Sequence, residues 1–187
     1  MIYTKIIDNL YLGSYSDVIN NTYEDENIEL IINVAKECKK IEQNITYYYF
    51  PYEDSPTNLI SNSFDEISDL IHSYLIQKKN VFIHCMAGKS RSASFIIIYL
   101  VKYLNYSLNY AYEYVNNLRD IYPNLGFVQQ MIEYELKTTN KSTLDYEQIV
   151  IDNISYTFPS VSKNIIKDIY KISNKNIDIT INKIFSI

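Results

Sequence analysis

The sequence predicts an α/β domain followed by a short all-α appendage, and three observations carry that reading. Short β-like runs alternate with helix-period patterns through Lys137. A polar, small-residue break follows at Thr138-Thr139-Asn140-Lys141-Ser142-Thr143. Beyond it only helical patterns recur.

Taken in order, Ile6-Ile7 and Tyr11-Leu12 read as short edge strands around a turn at Asp8-Asn9. Leu30 to Val34 and Ile45 to Phe50 read as core strands, as does Val81 to His84, which runs straight into Cys85. Between these, Ile60, Phe64, Ile67, Leu70, Ile71, Tyr74 and Leu75 recur at helical spacing, with Ser63 and Glu66 in capping-box register as one start. The run Phe95 to Val101 is ambiguous by period, since its β-branched residues also suit a buried strand. It follows Gly88 and Ser90 without room for a turn back, so a helix from about Ser90 to Leu104, buried on most sides, is the better reading. Two further helices fit Ser107 to Ile121 and Phe127 to Lys137. The break then acts as a linker, 139–145, between a domain of 1–138 and an appendage of 146–187. Three short helices fit the appendage: Tyr146 to Tyr156, Lys163 to Ser173, and Asp178 to Phe185. Phe158-Pro159 separates the first two, because proline opposes a helix running through it.

Composition narrows the class. With 187 residues, 47% of them hydrophobic, the chain can bury the core of one domain of ordinary size. A net charge of −5 argues against nucleic acid as the main partner, because a phosphate backbone needs a basic footprint. The longest apolar run, Phe95 to Val101, is too short to span a bilayer. The start, Met1-Ile2-Tyr3-Thr4-Lys5, reaches Asp8 and Asn9 without the apolar stretch of a signal peptide. Cys38 and Cys85 are too few for a disulfide framework, which suits a reducing compartment. A soluble cytoplasmic protein is expected, with the nucleus compatible. Cys38, Cys85, His72 and His84 show no ligand spacing, so neither metal nor cofactor is expected.

Chemistry concentrates in His84-Cys85-Met86-Ala87-Gly88-Lys89-Ser90-Arg91-Ser92. A loop between a strand and a helix can curl so that successive backbone N–H groups point inward, and the helix N-terminus adds positive potential. Such a cradle, built from Met86 to Arg91, binds a phosphate dianion and favours the thiolate of a cysteine at its base. Gly88 permits torsions that a side chain forbids. Arg91 brings a planar fork suited to two phosphate oxygens, which Lys cannot reproduce. A Cys-x5-Arg spacing alone is weak, and a buried, inert cysteine beside a surface cation is the plain alternative. Arginine is otherwise avoided, occurring only at Arg91 and Arg119, and the loop joins an apolar strand to an apolar helix.

The stretch resembles the signature of the dual-specificity protein phosphatases, histidine-cysteine-x-x-glycine-x-serine-arginine-serine, at every fixed position. Other segments resemble that family in the same order. They are Ile7-Asp8-Asn9-Leu10-Tyr11-Leu12-Gly13-Ser14, Ile31-Ile32-Asn33-Val34-Ala35, and Tyr122-Pro123-Asn124-Leu125-Gly126-Phe127 with Gln130. The resemblance covers about residues 1 to 137 and implies a small mixed sheet flanked by helices, the cysteine-phosphatase fold. It implies Cys85 as nucleophile, Arg91 as phosphate clamp, and Asp54, within Phe50-Pro51-Tyr52-Glu53-Asp54-Ser55-Pro56, as general acid in preference to Glu53. Ser92 would hydrogen-bond the sulfur, and His84 would orient the loop and tune Cys85 from beneath. The implied substrate is a phosphoprotein carrying phosphotyrosine, phosphoserine or phosphothreonine. Lys89 adds positive charge in the loop. Phosphoinositide phosphatases of the same superfamily tend to place more than one lysine there, and Met86 takes one of those positions. A non-catalytic reader of phosphoproteins is a third class, but such relatives usually lose the cysteine.

In the appendage, Thr157-Phe158-Pro159-Ser160-Val161, then Ile165-Ile166, then Ile177 with Ile181 and Ile184 resemble a CUE-type ubiquitin-binding module. Thr157 replaces that family's methionine and Ile184-Phe185 its leucine pair, and both changes fall on the expected contact surface. Ubiquitin is the partner implied for 146–187; a helical extension that packs on the first domain is the equal alternative. Lysines at 163, 167, 171 and 175 form an i,i+4 stripe that reads as a solvated face.

Overall fold

The computed structural model describes residues 3–40 and 44–186. Met1, Ile2 and Ile187, at the outer ends of the two expected segments, lie outside the described residues. The chain divides into two units, Met1–Leu144 and Asp145–Ile187.

The first unit contains β1 (Thr4–Ile7), β2 (Leu10–Ser14), α1 (Tyr15–Ile19), β3 (Ile28–Asn33), β4 (Thr46–Tyr49), α2 (Phe64–Leu75), β5 (Asn80–Cys85), α3 (Arg91–Leu104), α4 (Leu108–Leu118) and α5 (Leu125–Thr139). The five strands form one sheet in the order β1-β2-β5-β3-β4. Only β1 and β2 pair antiparallel, through a turn in which Asn9 takes φ 66, a left-handed conformation that asparagine tolerates. The remaining pairs are parallel, so the sheet is mixed. Its inner strands read as nearly continuous apolar runs because both faces are covered: Leu10, Leu12, Leu30, Ile32, Val81, Phe82 and Ile83 are all fully buried.

Two strand expectations reverse. Tyr11-Leu12 lies in β2, which is interior and pairs with β5. Ile45 to Phe50 contains β4, which is an edge strand with three of its four residues exposed or nearly so. The cause is tyrosine: Tyr47, Tyr48 and Tyr49 score as apolar, yet each has a hydroxyl that can face water. The ambiguous run Phe95 to Val101 is helical and wholly buried within α3, which packs on β5, α2, α4 and α5. Each large apolar side chain so buried contributes roughly 1.5–3 kcal/mol. Ser63 precedes α2, but its hydroxyl donates to the Glu66 carboxylate (3.2 Å) and caps no backbone N–H.

The polar break is not a free spacer at its start. Thr138 and Thr139 are still helical, and α5 ends at Asn140 with φ 57. Thr143 then donates its N–H (2.7 Å) and its hydroxyl to the buried carboxylate of Glu135, which also accepts from Leu108 N–H (2.7 Å). Small polar residues look like linker in composition, but here their donors satisfy a buried acid.

The second unit contains α6 (Tyr146–Thr157), α7 (Lys163–Ile172) and α8 (Ile177–Ile184). Asp145, Ser162 and Asn176 are their N-caps, each accepting the backbone N–H three residues on. The helix α7 packs on both α6 and α8. Among the described residues no helix is long and apolar enough to cross a membrane.

Candidate active site

The carboxyl end of β5, the central strand, delivers Cys85 to the end of the sheet where its parallel strands finish, with Ser14 of β2 as its register partner. Residues 86–90 form a loop and α3 begins at Arg91, so the helix N-terminus faces the same spot. Two donors reach the sulfur: Gly88 N–H at 3.3 Å and the Ser92 hydroxyl at 3.2 Å.

The loop's carbonyls are tied outward one after another. Met86 C=O accepts from Tyr15 N–H (3.1 Å), Ala87 C=O from Arg119 Nη2 (3.1 Å), Gly88 C=O from Arg119 Nε (2.8 Å) and Lys89 C=O from Tyr122 N–H (2.8 Å). Carbonyls held outward leave the loop's N–H groups to turn inward, which is the cradle the sequence predicts. Gly88 is required there. It has φ 66, and a Cβ at that position would sit 2.4 Å from Gly13 O.

His84 is fully buried beneath the nucleophile and stacks on Tyr15. Its Nδ1 lies 3.3 Å from Cys85 C=O; a carbonyl only accepts, so Nδ1 carries the proton. Burial pushes its pKa down to about 4, against the weaker opposing pull of that carbonyl, so the ring is neutral in ordinary buffers.

Arg91 is buried, 3% exposed. Its Nη1 and Nη2 donate to the two oxygens of Glu37 at 2.7 and 2.5 Å, and Nη1 also donates to Tyr52 C=O at 2.9 Å. Burial is the strongest single influence and opposes its charge, but the Glu37 carboxylate together with Cys85 and Asp54 outweighs it and holds its pKa above the ordinary arginine value. In return Arg91 holds Glu37 below the usual carboxylate range.

Asp54 and Glu53, adjacent in sequence, part company in space. Glu53 turns outward to an exposed ion pair with Lys36 at 2.6 Å. Asp54 turns inward: Oδ1 accepts from Ser90 Oγ (2.8 Å) and Asn124 Nδ2 (2.7 Å), and Oδ2 lies 3.5 Å from Arg91 Nε. Ser90 therefore does not cap α3; its hydroxyl holds Asp54 and accepts Asn124 N–H. Lys89 corrects one expectation. Its ammonium pairs with Asp120 at 2.7 Å on the surface and adds no charge inside the loop.

The structure thus brings Cys85, Arg91, Ser92, His84, the loop Met86 to Ser90 and Asp54 to one place. Three partners escaped sequence reasoning. Glu37 gave no signal beyond its acidity. Asn124 was noted only as part of a resembling segment; it caps α5, accepting Phe127 N–H, as well as donating to Asp54. Arg119 was the detectable one, since arginine is so rare in this chain.

Residues 10–137 match the family model described as dual specificity phosphatase, catalytic domain. The chain belongs to that family. A mouse relative, dual specificity protein phosphatase 18, is 40% identical over 119 residues, covering 63% of this chain and 63% of its own length. The human protein of that name is 35% identical over 144 residues, covering 75% of this chain and 77% of its own. The crystal structure of DUSP15 superposes with a TM-score of 0.69 at 28% identity, covering 73% of this chain and 88% of that one. Family membership makes this a protein phosphatase, a hydrolase acting on phosphotyrosine and on phosphoserine or phosphothreonine. The matched residues end before α6.

Proposed function

We propose that Cys85 removes phosphate from proteins through a phosphocysteine intermediate, with Asp54 as general acid and then general base. In the first step the Cys85 thiolate attacks phosphorus, the S–P bond forms, and the P–O bond to the leaving group breaks as Asp54 gives that oxygen its proton. In the second, water attacks phosphorus, Asp54 takes its proton, and the thiolate leaves. Loop N–H groups and Arg91 stabilise the equatorial oxygens in both steps. The Ser92 hydroxyl, 3.2 Å from the sulfur, eases its departure. Neutral His84 supports the loop without exchanging protons.

The observation that carries this reading is the convergence of Asp54 and Arg91 on one cradle, while Glu53 turns away. The test is hydrolysis of an aryl phosphate near pH 6 in a chelator, comparing wild type with Cys85→Ser and Asp54→Ala. Abolished turnover in the first and a drop of about 100- to 10,000-fold in the second is expected. Undiminished turnover in Cys85→Ser refutes the mechanism. Phosphopeptide hydrolysis exceeding phosphoinositide hydrolysis supports a protein substrate; the reverse order assigns the same chemistry to lipid.

For 146–187 we propose a CUE-like module that takes ubiquitin. Supporting this, the turn after α6 and the end of α8 meet in one open apolar depression lined by Phe158, Val161, Ile165, Ile184 and Phe185. The rings of Phe158 and Phe185 lie 5.0 Å apart. Titration of labelled ubiquitin with the full chain tests it: shifts lost in Phe185→Ala support it, and no shift at millimolar concentration ends it.

A further inference from the structure

A guanidinium has five N–H donors, and Arg91's can be accounted for one by one. Glu37 takes one from each terminal nitrogen, and Tyr52 C=O takes the second from Nη1. Nε–H and the second Nη2–H are left, side by side on one edge, a fork matched to two phosphate oxygens. Nε is buried and has no hydrogen-bond partner among the described residues, its neighbour being Asp54 Oδ2 at 3.5 Å. The general acid and the phosphate must flank the same leaving oxygen, so the edge facing Asp54 is the edge facing phosphorus. Glu37 sits on the other edge, where it does not compete with phosphate.

Its own placement is specified. Glu37 follows β3, in a turn held by the buried Asn33 side chain, which accepts Ala35 N–H and donates to Cys38 C=O, both at 2.9 Å. Val34 N–H donates to His84 C=O at 3.0 Å, joining that turn to the strand that carries Cys85. The sheet therefore sets Glu37 and the nucleophile in one frame.

We propose that Glu37 is a positioning residue of this phosphatase: its carboxylate fixes the Arg91 plane so that the Nε/Nη2 edge grips the transferring phosphoryl group. The inference rests on the roles given above to Cys85, Asp54 and Arg91. Glu37 touches Arg91 and transfers no proton.

The test uses the full chain, inorganic phosphate as the probe, and two aryl phosphates whose leaving groups differ in acidity. In Glu37→Gln the new amide sets an N–H donor against an Arg91 donor. Phosphate inhibition should weaken about tenfold or more, and kcat/KM should fall by about 10- to 100-fold, as loss of orientation gives. The loss should be equal for both substrates. A loss confined to the poorer leaving group would make Glu37 a proton donor and overturn the proposal. Unchanged or tighter phosphate binding would overturn it too, the latter marking Glu37 as a competitor. If Glu37→Gln does not fold, Glu37→Asp is read in the same way, since it keeps the charge but retracts the fork; wild-type phosphate affinity there refutes positioning. A wild type that neither binds phosphate nor turns over sinks the underlying mechanism, whereas an active wild type matched by its variants sinks this proposal alone.

Discussion

Acidification should remove stability from the catalytic unit through His84, and Asn in its place should abolish the effect. The folded ring has a pKa near 4 because burial disfavours its charge, while the ordinary value is 6.5. Between those values the unfolded chain binds a proton that the folded chain refuses. The stabilisation is therefore complete above pH 6.5 and is lost progressively as pH falls toward 4. At pH 5 the loss is about 2 kcal/mol, or about 4–8 °C in Tm for a chain of this size. Glu37 does not confuse the window, since Arg91 keeps its carboxyl below the ordinary range. The chain has no tryptophan, so urea unfolding followed by far-UV circular dichroism at pH 7 and pH 5 is the assay. Wild type and His84→Asn losing the same stability between those pH values would refute the buried neutral imidazole.

Gly88→Ala should destabilise by more than about 1 kcal/mol from the left-handed backbone alone, with further cost because Gly13 O lies where the methyl must go; thermal melting and loss of turnover check it. Arg119→Lys should weaken phosphate inhibition about tenfold, since a compact ammonium cannot reproduce the planar Nε/Nη2 fork that spans Ala87 C=O and Gly88 C=O; wild-type inhibition would show that the loop holds its shape unaided. Glu135→Gln should cost about 1.5–3 kcal/mol by urea unfolding, because its buried carboxylate accepts from both Leu108 N–H and Thr143 N–H.

Legibility followed distance along the chain. The cradle was readable because Cys85, Gly88, Arg91 and Ser92 are neighbours, and a strand–loop–helix junction constrains them locally. Asp54 needed the family resemblance, since nothing local separates it from Glu53. Apart from the short α1, the helices were legible from their period, with ends off by a few residues. The strands' places were not, because pairing is non-local: β2 proved interior and β4 an edge.

By itself, the sequence determined the α/β class, the helical appendage and the phosphate loop, since periodicity and adjacent residues suffice for these. Only the tertiary structure decided what surrounds the loop. Glu37 reaches Arg91 from 54 residues away, Arg119 reaches Gly88 across 31, and Asn124 reaches Asp54 across 70. Each gains its role from a hydrogen bond between separate elements, and no local pattern records which elements the sheet will bring together.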